Sequence, residues 1–575
     1  MTTPFDLAKE AVEAWLDGQG AAFVTRVSGG GSSAVAPSWA LALNHPKLPG
    51  GGARIVLPRD FPASPAEVHL DSALCLVLPH VEETGKVCLG VNAAAHDYDE
   101  PAVAVGRVLS AFGEFLERCR DDLWVADELQ RECWAYWVRY CDAAARRSSG
   151  RQSTRRMAVA LNGQTGCCER KVAGYLEKSS AKGVRVVVAC QGADEADSLA
   201  HRHGLDGGQL VHGRALFVSL PITQDWRPGA WPTSFNELDR VVAVATEENV
   251  SLHAWVEALP DRRGMLSYVV LVRGVFAYAY QVLPPRIPHL TPVTITPVQT
   301  TRIDSSWALT RGYEAERFAE RQRKRVLLLG CGSLGSPVAE LLVRSGVGQL
   351  VLVDPEVFLP ENCARHILGL SAVHAFKATR LADRLRREVP GAEVVGVTES
   401  ASGWIGKAAD FGSFDLVLDC TGESAVRAML ARYRNVAFCG VPIVHAWLEP
   451  FCAAAHVVLL GVDDVWPVDD PADSKVNVAE WPNTTRVDLP ACGAGFHPYG
   501  AADVMQAAGF SVERLLSVLD GIVGGSQIWS WVRTTAYFDS LPVVAAPRSV
   551  VPSGSSRHDS TMLTRDFGQV IYGPA

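Results

Sequence analysis

From Val326 to Asp354 the sequence runs through an apolar strand, the glycine loop Gly330-Cys-Gly332-Ser-Leu-Gly335, a helix-patterned stretch, a second apolar strand and a carboxylate. Few chains that carry this order can fold locally as anything but a βαβ unit. Gly330 permits the tight turn out of the strand, Gly332 lets a phosphate approach the backbone, and Gly335 lets the helix pack closely. The helix N-terminus then offers unpaired amides and a favourable dipole to phosphate. Asp354 ends the next strand, 19 residues after Gly335, where a carboxylate suits ribose hydroxyls. The segment reads as an adenine-nucleotide site.

The loop alone does not separate a dinucleotide from ATP. Asn362, Arg365 and Lys377 follow Asp354 closely. Two cations and an amide there can hold a triphosphate and offset charge developing on its phosphorus. Asp419 closes the strand Leu-Val-Leu-Asp and can bind magnesium at the sheet's carboxyl edge. Taken singly, each cation also reads as a surface charge, and Asp419 as a helix N-cap.

Around this unit the chain alternates strands and helices. Val326–Gly330, Gln349–Asp354, Val394–Val397 and Leu416–Asp419 read as strands; 336–345, 371–389 and 425–434 read as helices. Continuous apolar strands in short βα units predict a parallel sheet covered on both faces. The first 140 residues read differently. They give a helix over 5–17, strands near 22–28, 37–43, 53–58 and 67–71, a proline-rich turn, then helices between Val103 and Tyr140. That order predicts an α+β domain. Residues 146–156 read as a basic connector. Val184–Ala189, Ala215–Leu220, Val241–Ala245 and Ser267–Val272 read as strands of a middle domain without a chemical motif. Pro284–Pro297 reads as an extended closing segment, and the last ~30 residues as poorly ordered.

The chain has 575 residues, enough for three or four domains, and a net charge of −9. An acidic balance argues against a dedicated nucleic-acid binder. No apolar run approaches a membrane span, and Met1-Thr-Thr-Pro-Phe-Asp lacks the regions of a signal peptide, so the expected location is the cytoplasm. None of the 14 cysteines is spaced C-x-x-C, which argues against disulfide or zinc frameworks and favours a nucleophile where a cysteine is special.

The Gly330/332/335 loop, Asp354, the Asn362-x-x-Arg365 pair, Lys377 and Asp419 together resemble the adenylation domain of ThiF, MoeB and ubiquitin-activating enzymes, over roughly residues 300–530. The resemblance implies that ATP with magnesium adenylates the C-terminal carboxylate of a protein. It also implies a homodimer through this domain, with an arginine ahead of the loop reaching the partner's ATP site. Arg311 is placed for that role, and equally for a surface salt bridge. Cys492, in Asp-Leu-Pro-Ala-Cys492-Gly-Ala-Gly, matches the position of the family's catalytic cysteine and lies among small residues that leave a sulfur accessible. Cys420 and Cys439 read as core, and Cys452 as a weaker rival.

Cys88 lies in Pro79-His80-Val-Glu-Glu-Thr-Gly-Lys-Val-Cys88-Leu-Gly. Alone it reads equally as a buried cysteine between Val87 and Leu89. The order of helix, meander, proline-rich turn and irregular stretch up to the Cys-Leu pair resembles the core of ubiquitin-conjugating enzymes. His80 stands where that family has an asparagine, and is a candidate oxyanion donor or proton acceptor, or a packing residue.

The expected architecture is therefore multidomain α+β and α/β. It has an N-terminal ubiquitin-conjugating-like α+β domain (1–145), a central α/β linker or spacer domain (146–300) and a C-terminal Rossmann-like ThiF-type adenylation domain (301–575). This layout resembles the fused activating–conjugating proteins of bacterial CBASS antiphage operons. It implies a relay from adenylate to Cys492 to Cys88 to a target amine. The implied partner is a ubiquitin-like protein or a CBASS nucleotidyltransferase, with no membrane and no direct nucleic acid. Three alternatives stay open: sulfur-carrier activation of the ThiF or MoeB kind, a nicotinamide oxidoreductase, and a scaffold whose first domain only recruits.

Overall fold

The computed structural model describes residues 3–573 other than 23, 28–36, 49–51, 148–153, 177–183, 193–194, 206–208, 248, 259–265, 284–291, 313–314, 408–412 and 489–494. The chain divides into two units, Met1–Arg302 and Ile303–Ala575.

The first unit opens with α1 (Pro4–Asp17), started by a capping box in which the Thr3 hydroxyl accepts the Asp6 N–H and the Asp6 carboxylate accepts the Thr3 N–H. Ala8, Val12 and Leu16 recur every four residues and form its buried stripe. An antiparallel meander follows: β1 (Val24–Arg26), β2 (Ser38–Leu41), β3 (Ala53–Val56) and β4 (Glu67–His69). Its register sets Trp39 opposite Ile55 and Ile55 opposite Val68, a fully buried row across three strands. Three helices complete this part: α2 (Pro101–Arg118), α3 (Asp122–Arg131) and α4 (Cys133–Arg147).

Residues 156–302, expected as an α/β spacer, build a closed seven-stranded barrel of mixed direction. Its strands are β5 (Arg156–Ala160), β6 (Cys167–Leu176), β7 (Val184–Cys190), β8 (Gln209–Ser219), β9 (Leu266–Arg273), β10 (Phe276–Leu283) and β11 (Thr294–Arg302). They run in the order β10-β11-β5-β7-β6-β8-β9. Met157, Val172, Val187, Phe217 and Val298 are among the side chains that fill it. The helices α5 (Ala196–Arg202), α6 (Phe235–Ala245) and α7 (Leu252–Glu257) lie between strands. Val241–Ala245, read from sequence as a strand, is the end of α6. A Ser234–Glu237 capping box starts that helix, and Leu238 and Val242 bury its face. Trp137 of α4 is fully buried among Trp231, Tyr278 and Tyr280, with ring centroids 5.1, 5.4 and 5.2 Å away. Its indole N–H donates to the Val298 carbonyl. The helices and the barrel wall therefore share one core.

The second unit begins with two short helices, α8 (Ser305–Ala308) and α9 (Phe318–Arg321). Then come β12 (Arg325–Leu329), α10 (Gly335–Arg344), β13 (Gln349–Val353), α11 (Lys377–Glu388) and β14 (Glu393–Val397). After these follow α12 (Ala401–Ile405), β15 (Leu416–Asp419), α13 (Ser424–Ala437), β16 (Ile443–Leu448), β17 (Ala454–Leu460) and α14 (Ala501–Leu519). The strands β14-β13-β12-β15-β16 are parallel, and three antiparallel strands extend the sheet: β17, Gln527–Arg533 and Ser560–Asp566. This is the Rossmann-like α/β arrangement expected from the alternation.

Several details differ from expectation. The helix expected over 371–389 starts at Lys377, after a single turn at Leu370–Ala372. The C-terminal residues are built into the fold: Ser560–Asp566 pairs along the sheet, and the helix Phe567–Tyr572 buries Phe567 and Ile571. Of the segment expected to be extended over 284–297, Thr294 onward is β11, and 284–291 lie outside the described residues. Among the described residues no helix is long and apolar enough to cross a membrane.

Candidate nucleotide and thiol sites

The glycine loop leaves β12 at the carboxyl edge of the sheet and opens α10. Gly330 has φ +86°, and a Cβ there would lie 2.9 Å from the Thr421 backbone nitrogen, so only glycine fits both the angle and the space. A Cβ on Gly335 would sit 1.9 Å from the Gly330 carbonyl oxygen. Gly335 is thus required by the loop folding back on itself. A Cβ on Gly332 would meet nothing within 4 Å. That glycine faces open space, as a backbone approached by phosphate must.

Asp354 is buried at the end of β13, and its two oxygens accept the N–H groups of Cys331 (2.7 Å) and Glu356 (2.8 Å). It therefore pins the loop, a task beyond the ribose contact expected of it, and each oxygen keeps a lone pair. Burial pushes its carboxyl above the usual range against those two hydrogen bonds. Lys377, first residue of α11, is 5% exposed and its ammonium pairs with the exposed Glu356 carboxylate. Asn362 caps its own turn, its Oδ1 accepting the Leu359 N–H at 2.9 Å. Arg365 donates to the His497 carbonyl (2.9 Å) and stacks 4.5 Å above the Tyr499 ring. The Tyr499 hydroxyl in turn meets Ser333 of the glycine loop at 2.7 Å. Arg365 is thus a strut between the loop region and the chain that follows residue 494.

Asp419 is almost wholly buried. Its Oδ1 accepts both the N–H and hydroxyl of Thr421, and its Oδ2 lies 2.9 Å from His445 Nδ1. One lone pair on Oδ2 remains, so the carboxylate fits a magnesium ion through a single oxygen. Beside the loop lies a cleft of about 790 Å³, bordered by Ser333, Thr421, Trp447, Glu449, Trp481 and Tyr499.

The sequence reading missed His366. It is buried against the loop, its Nε2–H donating to the Cys331 carbonyl (2.7 Å) and its Nδ1 accepting the Leu368 N–H (3.0 Å). Burial lowers its pKa to about 4. Its position directly after Arg365 was the only signal.

Among the cysteines, Cys492 lies outside the described residues. Cys439, expected in the core, is exposed, because α13 has ended and the chain turns outward through Gly440. Cys452 is buried, and burial pushes its thiol up to about 12. Burial also raises Cys420 well above the ordinary thiol range. Arg311 is exposed, its guanidinium 4.5 Å from the Trp307 ring centroid.

In the first unit Cys88 is exposed, and its N–H donates to the His80 carbonyl at 2.8 Å. The His80 ring has Nε2 3.0 Å from Glu128 Oε1 and Nδ1 3.4 Å from Glu132 Oε2. The sequence reading named neither glutamate.

Residues 310–528 match the ThiF family. The chain is 29% identical over 169 residues to the ATP-dependent ubiquitin transferase-like protein Cap2 of Pseudomonas aeruginosa, covering 29% of each chain. It is 29% identical over 238 residues to Cap2 of Vibrio cholerae, covering 38% of this chain and 39% of that one. The matches thus span 29% and 39% of those relatives' lengths. Among solved structures, E. coli MccB with MccA-N7isoASN aligns at 15% identity and a TM-score of 0.28, over 41% of this chain and 68% of that one.

Proposed function

Because this chain carries a ThiF-family domain and is similar to the Cap2 proteins, we propose that it activates a protein C-terminus with ATP and conjugates it to an amine. The observation that carries the reading is the convergence at one sheet edge of an open Gly332 backbone, the pinned Asp354, the buried Lys377 and Asp419. The loop amides and the α10 N-terminus hold the phosphates. The free lone pairs of Asp354 take ribose hydroxyls. Asp419 would hold magnesium, which neutralises phosphate charge. Lys377 gives up its exposed glutamate partner for a phosphate oxygen and offsets charge in the transition state. Arg365 and Asn362 keep the surrounding turns in place, and Arg311 reaches the ATP site of a second copy in a homodimer.

The partner's carboxylate attacks the α-phosphorus, and pyrophosphate leaves. The Cys492 thiolate attacks the acyl carbon, and AMP leaves. The Cys88 thiolate attacks the thioester, and Cys492 leaves as thiolate. An amine, lysine by preference, attacks the Cys88 thioester and loses a proton, and an amide forms as the Cys88 thiolate departs. Exchange between thiolates is nearly isoenergetic, so ATP supplies the drive at the first step. Residues 1–145 act as the conjugating-like domain, 146–300 as the spacer and 301–575 as the activating domain. Covalent linkage raises the effective concentration of the second thiol. His80 supports the last step, as oxyanion donor or proton acceptor. The setting is bacterial antiphage defence, with a ubiquitin-like protein or a CBASS nucleotidyltransferase as partner.

The test is ATP–pyrophosphate exchange by the full chain purified with its operon neighbours. Exchange that depends on the neighbour's C-terminus, and falls with Lys377→Met, supports the reading. Binding of NAD with no exchange overturns it.

A further inference from the structure

Four polar residues, Glu128, Glu132, Tyr136 and Arg139, are spaced 4, 4 and 3 apart, the repeat of one helix face. They run from α3 through Glu132 into α4, and all four reach the two-residue segment His80–Val81. Glu128 and Glu132 each face one ring nitrogen of His80. The Tyr136 hydroxyl accepts the His80 N–H (2.8 Å) and donates to Glu132 Oε2 (2.8 Å). Arg139 donates to the Val81 carbonyl (2.9 Å). The segment they hold is unusual, since His80 has φ +61°, a conformation costly for a residue with a Cβ. It is also the platform of Cys88: His80 C=O accepts the Cys88 N–H, and Val81 pairs with Val87.

His80, Glu128 and Glu132 each bring one ligand atom within 4.8 Å of the others, a spacing that could also take an ion. One ion takes one nitrogen of a ring, whereas here the two nitrogens face two different carboxylates. The arrangement is a clamp on the ring. Tyr136 is buried, and Arg131 pairs with the Glu128 carboxylate.

Resting on the conjugation reading above, we propose that Glu128, Glu132 and Tyr136 are positioning residues for Cys88: they clamp His80 in its left-handed backbone conformation and so fix the carbonyl that orients the Cys88 backbone during transfer to the amine. A clamp is needed because histidine occupies this backbone state; asparagine enters it at lower cost.

The test is a double-mutant cycle in the full chain with its operon neighbours, using Glu132→Gln and Tyr136→Phe in the wild-type and His80→Asn backgrounds. Three quantities are read: hydrogen exchange of the Cys88 amide, loading of Cys88, and discharge of the loaded form to free lysine. Thermal unfolding confirms that each variant is folded. In the wild-type background either substitution speeds exchange at Cys88 and lowers the discharge kcat about tenfold, with loading and the KM for lysine unchanged. In the His80→Asn background Glu132→Gln changes neither, and Tyr136→Phe, which still removes the acceptor of the residue-80 backbone N–H, keeps only part of its effect. An equal penalty in both backgrounds marks a general structural effect and overturns the proposal, as does unchanged exchange and discharge in the first. If wild-type Cys88 is never loaded, the conjugation reading fails, and Cys88 exchange alone then decides the clamp.

Discussion

Gly332 and Gly335 stand three residues apart in one loop, yet the structure assigns them separate failures. At Gly335 an alanine Cβ would lie 1.9 Å from the Gly330 carbonyl oxygen, and reaching even 3.0 Å requires a shift of about 1.1 Å in backbone atoms. Gly330 is itself tied to β13, its N–H donating to the Val353 carbonyl at 2.9 Å. Overpacking of this kind costs about 1–3 kcal/mol, or about 2–10 °C in Tm for a unit of this size. Distortion of the phosphate cradle then weakens nucleotide binding as well. At Gly332 the added methyl meets no protein atom within 4 Å. Gly332→Ala is therefore expected to leave Tm within about 1 °C and still to weaken binding of a non-hydrolysable ATP analogue about tenfold or more, because the methyl occupies the space a phosphate approaches. Calorimetric titration and thermal unfolding of the two variants decide the matter. Wild-type nucleotide affinity in Gly332→Ala would refute the placement of the phosphates. Wild-type stability in Gly335→Ala would refute the steric account of the loop.

Other expectations follow from the same geometry. Lys377→Met should fold normally, yet lose about 10²–10³-fold in pyrophosphate exchange, as expected when a charge acting on the transition state is removed; undiminished exchange would exclude that role. His366 binds its proton at pH about 4 when folded and near 6.5 when unfolded, so the unfolded chain holds more protons between those values. Its contribution is complete above pH 6.5 and is lost as pH falls toward 4, at most about 3 kcal/mol. Urea unfolding of the wild type against His366→Gln should show a difference that shrinks over that window, and a pH-independent difference would contradict it. Trp137→Ala empties the centre of an aromatic cluster and should cost about 3–5 kcal/mol, seen as an earlier urea midpoint for the first unit with nucleotide binding by the second unchanged.

What could be read from the sequence divides along physical lines. The nucleotide loop was legible because each glycine answers a local demand at a fixed spacing, and the βα alternation around it is equally local. The meander strands were legible for the same reason. The barrel was not, since closure depends on β5 pairing with β11 and β7, partners distant in sequence. Val241–Ala245 looked like a strand because a short apolar run suits either element; the Ser234–Glu237 cap seven residues upstream decides for helix. The last thirty residues looked loose from their composition, yet Ser560–Asp566 gains a full row of pairs on Gln527–Arg533. The sequence singled out Asp354 as a ribose ligand but did not show its grip on the Cys331 amide, since side-chain contacts across a loop leave no periodic trace. Glu128 and Glu132 left no signal of their own in the sequence, because only the fold brings His80 beside them.

The central claim is an ordered relay, and the most direct measurement is the mapping of thiol-sensitive adducts. The tagged chain is expressed with its operon, purified at mildly acidic pH without reductant and analysed by mass spectrometry, alongside Cys88→Ala and Cys492→Ala. The account predicts a partner C-terminus on Cys88 that disappears in Cys492→Ala, and an adduct on Cys492 that persists in Cys88→Ala. A Cys88 adduct that survives Cys492→Ala, or an adduct confined to Cys492 in the wild type, would contradict it.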